Sequence, residues 1–451
     1  MSTAAAVWPP GPGGAPVFGS LFALRRDPIG FLTRSADEFG DSVHYRLGPS
    51  AHAFFFRHPD QVKDVLVTHQ HSFAKGRGLQ WAKQFLGEGL LTSEGEFHRR
   101  QRRLSQPAFH RARVQSYGTV MTDYAARARE RWRDGQPLDL AHEMMSLTMA
   151  VVAKTLFDAD VSGEADEIGA SLTAIIGLFH RFNNPLAPLI QRLPLPSNLR
   201  FHRARDRLDA TIYRMIGERR KSGEDRGDLL SMLLLASDVE GDGSGMTDQQ
   251  LRDEVMTIFL AGHETTANAL SWTFYLLSQN SEAEARLFDE VDRVLGARPP
   301  AIEDLGDLRF TEQVFAESMR LYPPAWGLGR KAIRDQEVGG YRVPAGAYVL
   351  ISAFVTQHDG RFFPDPGRFD PDRFTAEARA ARPKFAYFPF GGGARQCIGE
   401  PFAWMEGVLI LATIAQGWRL RLAPGHRVEP QPLITLRPRY GMRMIPERRG
   451  S

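Results

Sequence analysis

The first regular pattern along the chain is at Val43 to Leu47, VHYRL, where apolar and polar residues alternate; Gly48, Pro49 and Ser50 break it, and the apolar run Ala53 to Phe56 follows. A period of two, interrupted by turn formers, predicts a β-hairpin. From Pro59 to Leu321 the spacing of apolar residues becomes helical, interrupted by a Pro-rich apolar stretch from Asn184 to Ser197. One helix is marked at both ends. Thr247 with Gln250 forms a capping box, Leu251, Val255, Ile258 and Phe259 make an apolar stripe, and the pattern runs to Asn280. At 1.5 Å per residue it spans on the order of 50 Å, which makes it a scaffold for an active site. Ser281 and Glu284 predict a second capped helix, ending near Gly296.

From Pro323 the texture changes to Gly, Pro and short β-like runs such as GGYRVPAGAYVLISAF, before a last helix from Ile398 to Gln416. The tail segments LITLRP and YGMRM predict another hairpin. With no internal repeat and no shift in composition, the chain reads as one domain over residues 1–451, mainly α with small β-sheets, led by an extended Pro/Gly-rich segment at 1–20.

Composition narrows the function classes. With 43% hydrophobic and 24% charged residues the chain has the make-up of a globular protein, and a formal net charge of +3 over 451 residues is too small an excess to argue for nucleic acid. The N-terminus shows no basic n-region and no apolar run long enough for a membrane span, so the expectation is a cytoplasmic protein without a transmembrane anchor. A single cysteine excludes an internal disulfide and fits a reducing compartment.

That cysteine sits in FPFGGGARQCIGEPFAWMEG, with three glycines before Cys397, Gly399 after it and a helical pattern beginning at once. A lone cysteine is ordinarily a small packing residue. Here the sulfur is expected at a helix N-terminus, where unpaired N–H groups favour a thiolate, and the glycines let backbone approach a flat ligand.

Phe390, Gly393, Arg395, Cys397 and Gly399 match the haem-binding signature FxxGxRxCxG at every specified position, so the chain resembles the cytochrome P-450 family, in its soluble bacterial form. The resemblance implies that fold, with haem b between a long distal helix on one side and the cysteine loop and last helix on the other. It makes Cys397 the iron ligand, with Arg395 on a propionate and Phe390, Gly391 and Gly399 close to the haem; a thiolate pushes electron density to iron and favours O–O cleavage. In the long helix, AGHETTA fits the family's [AG]Gx[DE]T pattern. Alone, its small residues could serve helix packing. By resemblance Ala261 lies over the haem, Thr265 steadies dioxygen through its hydroxyl, and Glu264 relays protons; His263 between them reads as a packing or surface residue.

Glu317 and Arg320, three apart in one helix, are the family's ExxR pair, with Arg373 of PDRF as third member, and the resemblance makes all three structural. His98 and Arg102 in GEFHRRQRR, and Arg330 in GLGRKA, match propionate-holding positions. The neighbouring Arg99, Arg100 and Arg103 make a basic proximal face on which a ferredoxin or flavodoxin-type donor could land. No phosphate-cradling loop for nicotinamide or flavin follows an early strand, so NAD(P)H is expected to act through separate proteins.

The segments that grip substrate in the family supply Trp81, Phe85, Phe179, Phe182, Ile258, Ala261, Ala325, Trp326 and Leu328, with Leu433 or Ile434 at the end. They are mostly apolar, which predicts a hydrophobic substrate: a terpenoid, carotenoid, fatty acid or steroid. RLYPPAW and TQHD are similar to segments of bacterial carotenoid and terpenoid hydroxylases. The leading expectation is a haem-dependent monooxygenase using O2; the alternatives are a peroxide-driven peroxygenase, which the intact Glu264–Thr265 pair disfavours, and a non-catalytic haem sensor.

Overall fold

The alternating segment forms strands β1 (Ser42–Arg46) and β2 (His52–Phe56), antiparallel with Ser42 opposite Phe56 and Arg46 opposite His52. After β3 (Phe73–Lys75) come α1 (Arg77–Leu86), α2 (Gly95–Ser105), the short β4 (Leu138–Asp139), α3 (Leu140–Phe157), α4 (Pro196–Ser222), α5 (Asp248–Gln279), α6 (Ser281–Leu295) and α7 (Arg309–Leu321). Strands β5 (Leu328–Ala332), β6 (Gln336–Val338), β7 (Tyr341–Val343) and β8 (Tyr348–Ile351) lead to α8 (Glu400–Gly417) and then β9 (Trp418–Leu422), β10 (Pro430–Pro432), β11 (Leu436–Pro438) and β12 (Arg443–Arg448). These elements belong to a computed structural model that describes residues 8–158, 193, 195–238, 241 and 243–450. The architecture is mainly helical with small sheets, as the periodicities predict.

The chain forms two compact units, each from two stretches of sequence: Met1–Trp81 with Met319–Cys397, and Ala82–Ser318 with Ile398–Ser451. The first is built on a five-stranded sheet in the order β1-β2-β8-β5-β3, in which β2 and β8 run parallel. Because side chains alternate across a strand, Phe54 and Phe56 enter one core with Val349, Ile351, Phe385 and Phe388, while Val43, Tyr45 and Phe55 enter a second core with Leu32 and Ala36. Burial on both faces explains why β2 is a continuous apolar run.

The second unit is organised by α5. Both hydrogen bonds of its predicted capping box are made, Gln250 N–H to Thr247 Oγ1 at 3.2 Å and Thr247 N–H to Gln250 Oε1 at 2.9 Å. Helix α3 packs along it: a Cβ on Gly262 would meet Val152 at 3.1 Å, and the Thr148 hydroxyl donates to the His263 carbonyl at 2.9 Å. Gly262 therefore serves helix packing. Among the described residues no helix is long and apolar enough to cross a membrane.

Three local expectations are corrected. Helix α6 has no capping box: Asn280 is its N-cap without a side-chain bond, and the Glu284 carboxylate instead receives Arg421 at 2.8 and 3.0 Å. Helix α8 starts at Glu400 with Gly399 as N-cap, so Cys397 precedes the helix instead of beginning it. The two tail segments do not pair as one hairpin. Leu436–Pro438 folds back on Pro430–Pro432, whereas β12 joins β9 and β4, steered by a positive φ at Gly441 and by the Met442 N–H donating to Asp139 at 2.9 Å.

Candidate active site

The cysteine loop is shaped by glycine. Gly391 and Gly393 have φ of +72° and +67°, and a Cβ on Gly393 would collide with the Leu66 carbonyl, so no other residue fits there. The Ala394 N–H donates to Gln70 Oε1 at 2.8 Å, a turn of 3-10 helix spans Gly393–Arg395, and the Cys397 N–H donates to the Phe390 carbonyl at 3.0 Å. These bonds close the loop and leave the thiol of Cys397 exposed at its end. Phe390 and Arg395 are half-buried within the same loop.

In the same unit Arg320, fully buried, donates to the carbonyls of Gln357 at 2.9 Å, Pro366 at 2.8 Å and Arg368 at 3.1 Å and lies 5.1 Å from the centre of the Phe363 ring. Arg373 reaches the Asp365 carbonyl at 3.2 Å. Gln357 ties the end of α7 to the segment before the cysteine loop: its amide nitrogen donates to the Met319 and Arg320 carbonyls at 3.0 Å, and its oxygen accepts the Phe388 N–H at 3.2 Å. Glu317, three residues before Arg320 in α7, is likewise fully buried. Arg330 is buried in β5 and donates to its neighbour's carbonyl, Gly329, at 3.0 Å.

In α5 the acid and alcohol stand in different surroundings. Thr265 is half-buried, with its hydroxyl donating to the Ala261 carbonyl at 2.8 Å, and Ala261 is exposed, so this stretch of an otherwise buried helix has one open face suited to a flat ligand. Glu264 is 2% exposed, and its Oε1 accepts from Arg437 Nε at 2.7 Å and from the Thr435 hydroxyl. His263 is a buried packing residue. Burial holds its imidazole below the ordinary histidine range, a hydrogen bond to the Phe259 carbonyl at 2.8 Å opposing this in part.

On α2, His98 is buried with Nδ1 3.3 Å from the Ser93 hydroxyl, and Arg102 is half-buried on the same helical face. The basic run beside them is largely engaged. Arg103 binds the Asp238 carboxylate at 2.7 and 2.9 Å, Arg100 donates to the Ser244 hydroxyl at 2.8 Å, and Arg99 pairs with Glu96.

The proposed substrate contacts divide. Trp326 and Leu328 pack on the cores of the sheet unit, Ala325 and Trp81 are half-buried, and Phe179 and Phe182 lie outside the described residues. Phe85 is buried edge-on against Phe201 at 6.3 Å, and Ile258 is buried in α5. Leu433 and Ile434 form the half-buried turn between β10 and β11.

Sequence reasoning missed the partners of α5. Thr435, in the turn before β11, and Arg437, within β11, were legible only as a polar alternation. It also missed Asp253 and Glu254, which accept the Glu88 and Leu90 N–H groups at 2.9 and 3.0 Å and so lay the loop after α1 along the helix; Gln101 of α2 donates to Glu254 at 3.2 Å. Burial pushes the Glu254 carboxyl up to about 8.

Residues 9–442 match the family model described as Cytochrome P450. The chain is 43% identical to cyclooctatin synthase of Streptomyces melanosporofaciens over 97% of its own length and 95% of the relative's. It is 42% identical to cyclooctat-9-en-7-ol 5-monooxygenase of the same organism, over 92% and 90%. To pentalenene oxygenase of Streptomyces avermitilis it is 37% identical, over 94% of each.

Proposed function

The chain belongs to the cytochrome P450 family, and on that footing we propose that this haem-dependent monooxygenase hydroxylates a cyclic terpenoid, working as one catalytic domain in the cytoplasm. The relatives are named for a cyclic alkenol and for pentalenene, and the candidate contacts Leu433 and Ile434, which the fold leaves half-buried, are apolar as such a skeleton needs, whereas Phe85 and Ile258 are buried in packing.

One observation carries the reading: the chain's single thiol is exposed at the end of a loop that glycine geometry and the Cys397–Phe390 hydrogen bond hold fixed. A soft, anionic sulfur on a rigid loop suits haem iron, and the open face of α5 at Ala261 and Thr265 suits the flat ring. Haem, when bound, supplies oxygen activation. The chain's own residues do the rest. Cys397 would ligate the iron, Arg395, Arg330 and Arg102 would hold propionates by charge-assisted hydrogen bonds with His98 as a further propionate partner, and Phe390, Gly391 and Gly399 would lie close to the haem. Thr265 and Glu264 handle protons, the hydroxyl orienting and the carboxylate carrying them. Glu317, Arg320 and Arg373 are structural, as the carbonyl cage around Arg320 supports.

Electrons come from NAD(P)H through a ferredoxin or flavodoxin-type protein that lands near the α2 arginines, whose charge Asp238 and Glu96 offset in part. Reduction under carbon monoxide tests the ligand: wild type should show a strongly red-shifted Soret band and Cys397→Ala should lose it, and an unshifted band in wild type overturns the proposal. In a ligand panel, cyclic terpenoid hydrocarbons and alcohols should drive the low-to-high-spin shift at lower concentration than fatty acids or steroids; the reverse ranking removes the substrate assignment.

A further inference from the structure

Four bonds fasten the β10–β11 hairpin to one face of α5 at every fourth residue. Glu264 accepts from Arg437 and Thr435, Asn268 Nδ2 donates to Thr435 Oγ1 at 3.2 Å, and Trp272 Nε1 donates to the Leu436 carbonyl at 3.0 Å. Both charges of the Glu264–Arg437 pair are largely withdrawn from water, their side chains being 3% and 16% exposed. A carboxylate held so is fixed in position, and it cannot swing toward a second proton partner without breaking a charge-assisted bond. The turn that leads into this strand is Leu433–Ile434, and Ile434 is the immediate neighbour of Thr435. The Leu433 N–H donates to both Gln431 and Thr435 carbonyls at 3.1 Å, which makes the turn a stiff lever.

We propose that the β10–β11 hairpin is a substrate-responsive clamp on the distal acid, in which Arg437 and Thr435 are positioning residues that hold Glu264 and a hydrophobic substrate pressing on Leu433–Ile434 loosens their grip. This rests on the reading of Glu264 as the proton carrier. Without substrate the carboxylate is parked on Arg437 and proton delivery is slow. With substrate against the turn, the strand shifts along its neighbour and the carboxylate is released to move a proton. No bond other than the hydrogen bonds and the ion pair changes.

The test uses the haem-loaded enzyme with its electron donors. Hydrogen–deuterium exchange of the 430–438 segment is followed with and without a spin-shifting cyclic terpenoid, beside NAD(P)H oxidation in the absence of substrate, its solvent isotope effect, and haem content. Wild type should exchange faster here when substrate is bound. Arg437→Gln should show that fast exchange at all times and oxidise NAD(P)H without substrate roughly tenfold faster, the scale of one lost hydrogen bond to a charged group. Arg437→Lys should restore wild-type behaviour, and Thr435→Val should act in the same direction as Arg437→Gln, which keeps the test open if one variant fails to fold. Glu264→Gln separates the two claims. If it turns over as wild type, with the same isotope effect, the proton-carrier reading fails and takes the clamp with it. If it is slow while Arg437→Gln and Thr435→Val match wild type in substrate-free oxidation, or if substrate leaves the exchange of 430–438 unchanged, the clamp alone is overturned.

Discussion

Thr265 shows how a side chain's neighbours set what it can do. Its hydroxyl proton is committed to the Ala261 carbonyl, so its oxygen is turned outward as an acceptor on the open face of α5. Thr265→Ala should keep haem and the carbon monoxide spectrum while product formed per NAD(P)H falls by about tenfold or more and hydrogen peroxide rises in step; Thr265→Ser should recover most of the loss. Unchanged coupling in the alanine variant would remove Thr265 from proton handling. Cys397, Glu264 and Thr265 stand out in the sequence as proposed site residues because each lies in a short motif with fixed neighbours. Arg437, Thr435 and Gln357 were not, since each acts through a partner far away in sequence, and local periodicity carries no trace of such pairings. The same holds for Glu406 in α8. Fully buried, with no hydrogen bond of ordinary geometry to either carboxyl oxygen among the described residues, it is pushed by burial up to about 8, the Thr266 hydroxyl offsetting only part of the effect.

Elements with strong local signals formed where expected: the capping box fixed the start of α5, and the alternation at 42–56 became β1 and β2. The tail failed because strand pairing is decided by what is opposite, and a three-residue strand has two candidate partners whose turns look alike in sequence. The loop after α1 depends on α5 in the same non-local way. Gly89 lies so close to that helix that a Cβ would collide with the Thr257 hydroxyl. Gly89→Ala should therefore cost about 1–3 kcal/mol and weaken substrate binding by displacing the loop. Thermal unfolding and the spin-shift titration measure both, and a variant as stable as wild type would show that the loop can yield.

Across the whole molecule, a few ionisable groups shifted chiefly by burial contribute to the dependence of stability on pH. Glu254 and Glu406 titrate near 8 in the fold against about 4.5 when unfolded, so the folded state holds protons the unfolded chain has lost and stability falls as pH rises from about 4.5 to about 8. His44 and His358, depressed to about 4 chiefly by burial, act oppositely: their contribution is complete above about 6.5 and is lost as pH falls toward 4. The two trends cancel between about 4.5 and 6.5, leaving a net loss from about 6.5 to 8. Glu254→Gln keeps an acceptor for the Leu90 N–H and should flatten that alkaline slope by on the order of 2 kcal/mol. Parallel slopes for variant and wild type in thermal melts across this range would contradict the assignment.

The position of Ile434 beside Thr435 has a consequence for how this enzyme can diversify. On the substrate role proposed for Ile434, a residue exchanged to admit a bulkier or slimmer carbon skeleton is bonded directly to Thr435, which holds the Glu264 carboxylate, so selectivity and electron economy would share a single hinge. Lineages that drift to new substrates through this turn should pass through leaky ancestors, repaired later at 435 or 437, and laboratory selections scored only on product identity will accumulate oxidant damage unless peroxide is scored as well.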